Sequence, residues 1–449
     1  MDKTNQIATN EPKCHIMHQS NRVPVKNTRH LDVAFACLAL ILFSQIVFAQ
    51  SDKAKKIDAF IKPFAAGNQF SGVVLASENG KVIYEKAFGL ANADYKIPNQ
   101  VNTRIGIASI TKYMTTVVLT RLIENKKISL ADKLSKYIPD FPNGDKITIE
   151  MLARHRSGIP HRVMPPEMES VAYTSAEFIE KVKQAKLAFE PGTARLYSSA
   201  GYSVLARTLE IASGKTYSQL LQEYVFTPAG MTDSVDFDGE AVIERRAQDY
   251  YLSPNGLVNV PIKNYSFLVG AGSVFGTARD VYRFAEAILD GKYGEGVKAS
   301  FQGEGPFNGS GSTNGHRSYF ELARDKKHGF VILANSAGAF DLISQGLTEI
   351  LQGKEPTVKA FSIPPIIPNP NKNLEEFLGR YKRADGGETE IVIRNGFLYS
   401  SDIKLYPTKP DCFFEYRFFG YVCFVRDETG RIKEIKWKGY NFDLTWVKQ

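Results

Sequence analysis

Cysteine is scarce in this chain, with four in 449 residues: Cys14, Cys37, Cys412 and Cys423. They form no metal-binding cluster, and no His-Glu-x-x-His occurs, so a zinc site has no ligand set in the sequence. A Gly-x-Ser-x-Gly elbow is also missing, and His155, His161, His316 and His328 have no obvious acidic partner, which disfavours a Ser-His-Asp hydrolase. Gly309-Ser310-Gly311 lacks the Gly-Lys-Ser/Thr that would complete a phosphate loop. Basic residues give a net charge of +8 but stay scattered, with no run resembling a nucleic-acid arm. What remains is covalent chemistry that needs neither metal nor cofactor, on a small-molecule or peptide substrate.

No apolar run makes a comfortable membrane span. Val33–Phe43 is unbroken but is interrupted at Ser44-Gln45. Before it lies a polar leader with Arg22, Lys26 and Arg29, and after it Val47-Phe48-Ala49 places small residues at a signal-peptidase site. Residues 1–49 therefore read as leader and signal peptide, with an uncleaved membrane anchor as the alternative; either way the body of the protein is exported, to the periplasm or outside. Cys412 and Cys423 suit a disulfide in an oxidising compartment or two buried thiols.

Length allows two or three domains, and 43% hydrophobic with 23% charged residues describes an ordinary soluble body. A short helix over 52–66 leads to strands 70–77 and 81–88 joined at Asn79-Gly80, the strongest local hairpin signal. Helical spacing is expected over 130–137, 147–152, 176–185, 201–212, 220–229, 277–289 and 342–351. Prolines 356, 364, 365, 368 and 370 mark a stiff linker over 354–373. Beyond it, short alternating runs predict a small all-β barrel or sandwich over 374–449.

The chemistry concentrates at Gly106-Ile107-Ala108-Ser109-Ile110-Thr111-Lys112. Met114, Val117, Val118, Leu122 and Ile123 recur at three- and four-residue spacing, so Ser109 opens a buried helix. Residues i and i+3 share a helix face, so the Lys112 amine reaches the Ser109 hydroxyl. Burial lowers a lysine's pKa and makes it a base, while the Ser109 N–H at the helix start can receive an oxyanion. A second Ser-x-x-Lys at Ser401–Lys404 lies in a strand-like run with no helix after it, and is read as chance.

With Tyr197-Ser198-Ser199 after Pro191-Gly192-Thr193, and with His155–Pro160, Ala229–Thr232 and Gly272–Asp280 in the same order, residues 57–351 resemble the serine β-lactamase and penicillin-binding-protein superfamily, in particular its class C branch. That resemblance implies an α/β (α+β) fold, an antiparallel sheet flanked by helices with a helical insert over about 128–270. It also implies Ser109 as nucleophile, Lys112 as its base and Tyr197 as proton relay, as a phenolate held by Lys112. Ser199 stands where the family has asparagine. At the third motif Ser310, Gly311 and Ser312 would line the cleft, with Ser109 and Ser312 N–H groups as oxyanion hole. Gly309-Ser310-Gly311 lacks the family's lysine or histidine there, which points to an ester or uncharged amide as substrate. The expected function is an exported serine hydrolase of carboxypeptidase, β-lactamase-like or esterase type, acting on a small or cell-wall-derived peptide substrate. The alternative is a catalytically impaired protein that binds peptidoglycan or peptide in the same cleft.

Overall fold

The computed structural model describes residues 52–449 apart from 337, 361, 371–372 and 440–441, so the expected leader and signal segment lies outside the described residues. Helix α1 (Asp52–Ala66) leads into strands β1 (Ser71–Glu78) and β2 (Lys81–Phe88). Asn79 and Gly80 between them both take positive φ, 51° and 71°, the turn whose twist matches that of the strands. Helices α2 (Thr111–Glu124), α3 (Ser199–Ser213) and α4 (Ala278–Leu289) follow, then β3 (Phe307–Ser312), β4 (Arg317–Leu322), β5 (His328–Ser336) and α5 (Phe340–Leu351). The strands pair antiparallel in the order β3-β4-β5-β1-β2.

β1 and β5 sit in the middle and are covered on both faces, which is why they read as unbroken apolar runs. Successive side chains point to opposite faces. Val73, Leu75, Val331 and Leu333 join a core with Met114 and Val118 of α2 and Phe284 of α4. Val74, Ala76, Phe330 and Ile332 join a second core with Ile57 and Ile61 of α1 and Ile343 and Leu347 of α5. Full burial of each such side chain contributes about 1.5–3 kcal/mol.

The insert is largely helical, with two departures from the sequence pattern. Residues 130–137 form no α-helix beyond a single tight turn at Leu134–Lys136, because the Leu134 N–H bonds Ile147 O and Lys133 bridges Thr148. Tyr250–Ser253 and Gly256–Asn259 instead form a hairpin that extends the central sheet through a parallel pairing of Tyr250 with Ser336 of β5.

Residues 354–360 and 362–370 hold no helix or strand, yet they are pinned along the body: Val358 is buried in the α1–α5 core and the Ile367 N–H bonds Pro407 O. After them nine strands form one antiparallel sheet. Its first strand, Gly379–Lys382, pairs with its last, Asp443–Lys448, while the two ends of the sheet, Ile403–Lys404 and Tyr406–Lys409, adjoin in sequence. The result is barrel-like, around Phe377, Tyr381, Phe424, Trp437 and Trp446. Cys412 and Cys423 face each other on neighbouring strands and are joined by a disulfide, which settles the two readings of that pair.

Candidate active site

The start of α2 meets the edge strand β3, and there the chain turns sharply. Ile107 N–H bonds Val274 O, Ala108 takes a φ of 47°, and residues Ala108–Ile110 make a tight turn that continues as α2. Ser109 lies in that turn, with Lys112 on the same face. The Lys112 Nζ donates to Ser109 Oγ at 3.2 Å, Ser199 Oγ at 3.2 Å and Ala271 O at 2.7 Å. Lys112 is 5% exposed and makes no ion pair among the described residues; burial without a counter-charge lowers its pKa to about 7. Once neutral, the amine offers a lone pair, and Ser109 O–H donates along the same contact.

The Tyr197 hydroxyl donates to Ser109 Oγ at 2.8 Å, and its ring centroid lies 4.9 Å from Lys112 Nζ. Although the Tyr197 residue is 41% exposed at the cleft mouth, desolvation of its phenol against the site raises the pKa above its ordinary value, with hydrogen bonds to Ser109 and Ser199 offsetting part of the shift. Tyr197 is a neutral hydroxyl near pH 7, and the group poised to lose its proton there is Lys112.

Ser199 opens α3, whose N-cap Ser198 accepts the Gly201 N–H at 2.8 Å, so its hydroxyl reaches Lys112 where an asparagine was the family's residue. Ser310, Gly311 and Ser312 occupy β3. A Cβ on Gly311 would lie 2.4 Å from Ile107 O and 2.7 Å from Ser109 N, so only glycine lets the strand pass this close to the turn. Ser318 Oγ on β4 donates to Ile107 O at 2.7 Å and ties turn and sheet together. The Thr313 N–H bonds His316 O, so antiparallel alternation turns the Ser312 N–H away from β4, toward the open edge. All seven residues expected from the sequence line one cleft of about 1030 Å3. The second Ser-x-x-Lys does not: Lys404 lies 3.5 Å over the Phe397 ring in the C-terminal sheet.

Two histidines partner this site: His155, whose turn suits packing or capping more than reaction, and His161, which carries no role in the sequence reading. His155 Nδ1 accepts the Ser198 N–H at 3.1 Å, and His161 Nδ1 accepts the Ser199 N–H at 3.2 Å. Their rings stand 4.6 Å and 5.4 Å from that of Tyr197. Burial, aided by the Lys112 charge, lowers the His155 pKa to about 4, and partial desolvation of the exposed His161 lowers its pKa as well; each Nδ1 accepts a backbone N–H and so positions Tyr197 and Ser199. The signal was the His155–Pro160 stretch, where a left-handed His155 (φ 59°) redirects the chain after the helix Ile149–Ala153 and ahead of the Ser157-Gly158-Ile159-Pro160 turn.

A serine hydroxyl, a neutralisable amine and a phenol in mutual contact form a set for acyl transfer. The sequence profile of the Beta-lactamase family matches residues 57–348. The chain belongs to that family. Among relatives, the "Putative penicillin-binding protein PbpX" of Bacillus subtilis (strain 168) is 30% identical over 295 residues, spanning 66% of this chain and 72% of that protein. The "D-alanyl-D-alanine-carboxypeptidase/endopeptidase AmpH" of Escherichia coli (strain K12) is 28% identical over 253 residues, 53% of this chain and 62% of AmpH. The crystal structure of D-amino acid amidase from Ochrobactrum anthropi SV3 superposes with a TM-score of 0.61 at 20% identity, covering 67% of this chain and 99% of that one. The fold is thus that of the family's serine hydrolases, an antiparallel sheet between helices, and here it carries a further barrel-like β domain.

Proposed function

We propose that this protein is an exported serine hydrolase that acts through an acyl-enzyme at Ser109 on an amide or ester of a D-amino acid, such as a cell-wall peptide. The observation that carries the reading is Ser109 Oγ in contact with both the Lys112 amine and the Tyr197 hydroxyl. Neutral Lys112 takes the Ser109 proton as Oγ attacks the carbonyl carbon. The oxyanion forms against the Ser109 and Ser312 N–H groups. Tyr197 gives its proton to the departing amine or alkoxide and regains one from Lys112. Water then attacks the ester, losing its proton to the same pair, and Ser109 leaves reprotonated. Specificity for the D-series draws support from the names of AmpH and the D-amino acid amidase. Export draws support from the segment 33–49 and from the Cys412–Cys423 disulfide.

The test is turnover of an acetylated D-alanyl-D-alanine peptide, its L,L isomer and a p-nitrophenyl ester by the parent and by Ser109→Ala. The reading expects D-selective product release that Ser109→Ala lowers about 1000-fold or more. Equal turnover by the variant would refute it. A second reading, a peptidoglycan- or peptide-binding protein without turnover, is favoured only by the missing cation at Gly309-Ser310-Gly311. It expects tight binding, no product, and equal affinity in Ser109→Ala.

A further inference from the structure

The cleft carries positive charge that β3 does not supply. Eight lysine and arginine side chains line it against one carboxylate, Glu169, which already pairs with Lys263 at 2.7 Å. Arg317, opposite Ser312 across the ladder, spends two donors on Asp341. Arg417 differs in origin. It belongs to the barrel-like domain, on the loop 416–419 between strands Cys412–Glu415 and Gly420–Arg426.

That loop is built to hold one position. The Cys412–Cys423 disulfide joins the two strands that carry it, three residue pairs below the Glu415–Gly420 pair at its base. Fully buried Glu415 accepts the N–H groups of Arg417 and Phe418 on Oε2 at 2.8 and 2.9 Å. Phe414, Tyr416 and Phe419 pack on Leu252 of the Tyr250–Asn259 hairpin, and the guanidinium stands 5.2 Å over the Tyr251 ring. Asp402 engages Nη1 alone, at 2.8 Å, leaving Nε and Nη2 without a hydrogen bond among the described residues. Asp402 is 58% exposed, and such a pair is worth little, so a ligand oxyanion can replace it. Arg162, which makes no ion pair among the described residues, lines the same cleft, and its charge, like that of Arg417, acts to lower the Tyr251 phenol against the larger rise from burial.

We propose that Arg417, assisted by Arg162, is the anion-recognition point of the active-site cleft, supplied by the C-terminal domain, and that the ligand presents a carboxylate or phosphate oxyanion to it. The inference rests on the reading of this cleft as the substrate site. It assigns the C-terminal domain a part in specificity and replaces, from another element, the cation absent at the third motif. The guanidinium fork matches a two-oxygen anion, and a cleft of one sign concentrates such ligands.

Binding to the full chain carrying Ser109→Ala tests this apart from turnover. Calorimetric titration uses N-acetyl-D-alanyl-D-alanine, its C-terminal amide, glycerol 1-phosphate and glycerol. The expected result is that one anion binds about tenfold or more tighter than its neutral counterpart, as a charge-assisted hydrogen bond gives. Which pair shows the preference identifies the oxyanion. Arg417→Ala on this background should erase that preference, Arg417→Lys should restore part of it, and Asp402→Asn should sharpen it about two- to threefold. No preference for either anion, or a preference that persists in a folded Arg417→Ala protein, overturns the proposal. Hydrolysis by the parent, measured separately, decides the hydrolase reading: anion preference without turnover would defeat that reading alone.

Discussion

Lys112 concentrates the chemistry in one proton. Its pKa is lowered to about 7 by burial, and the amine must be neutral to take the Ser109 proton, so kcat/KM should rise with pH through about 7. A pH–rate profile measures that limb; a flat profile from pH 6 to 8 would contradict the role. Tyr197→Phe keeps the ring packing with His155 and removes the proton donor, so kcat should fall about 100-fold or more with the melting temperature little changed. Ser109, Lys112 and Tyr197 were legible because each belongs to a short local motif. The hydrogen bonds of His155 and His161 were not, because they reach 43 and 38 residues along the chain.

Strand β3 does its work through a missing side chain. Gly311→Ala puts a methyl against the backbone of Ile107 and Ser109, so turn and strand must separate. We expect about a 100-fold loss of kcat together with about 1–3 kcal/mol of stability, read by steady-state kinetics and denaturant unfolding. One hairpin of the central sheet was visible in sequence, β1 and β2 with the Asn79-Gly80 turn between them. The Tyr250–Asn259 hairpin escaped because it is short and its pairing with β5 runs through one residue, Tyr250 with Ser336. Residues 130–137 carried helical spacing, but the pairing of residues 133–134 with 147–148 outweighed it.

On the scale of the whole molecule, the C-terminal domain is fastened to the Beta-lactamase-family domain by an apolar seam and not merely tethered by the proline-rich stretch. Phe414, fully buried, meets Leu252 there together with Tyr416 and Phe419. Phe414→Ala should cost about 3–5 kcal/mol, seen as a lower unfolding midpoint, whereas a free tether would leave the first domain's own unfolding unchanged. The sequence marked the composition break but gave no sign of the seam, because its residues come from segments more than 150 positions apart. The account stands or falls on a covalent bond at Ser109. Peptide-mapping mass spectrometry of the folded chain after exposure to benzylpenicillin and, separately, to a fluorophosphonate would locate it. The account predicts an adduct from at least one probe on the peptide containing Ser109, absent in Ser109→Ala; an adduct at another residue, or none from either probe, would contradict it.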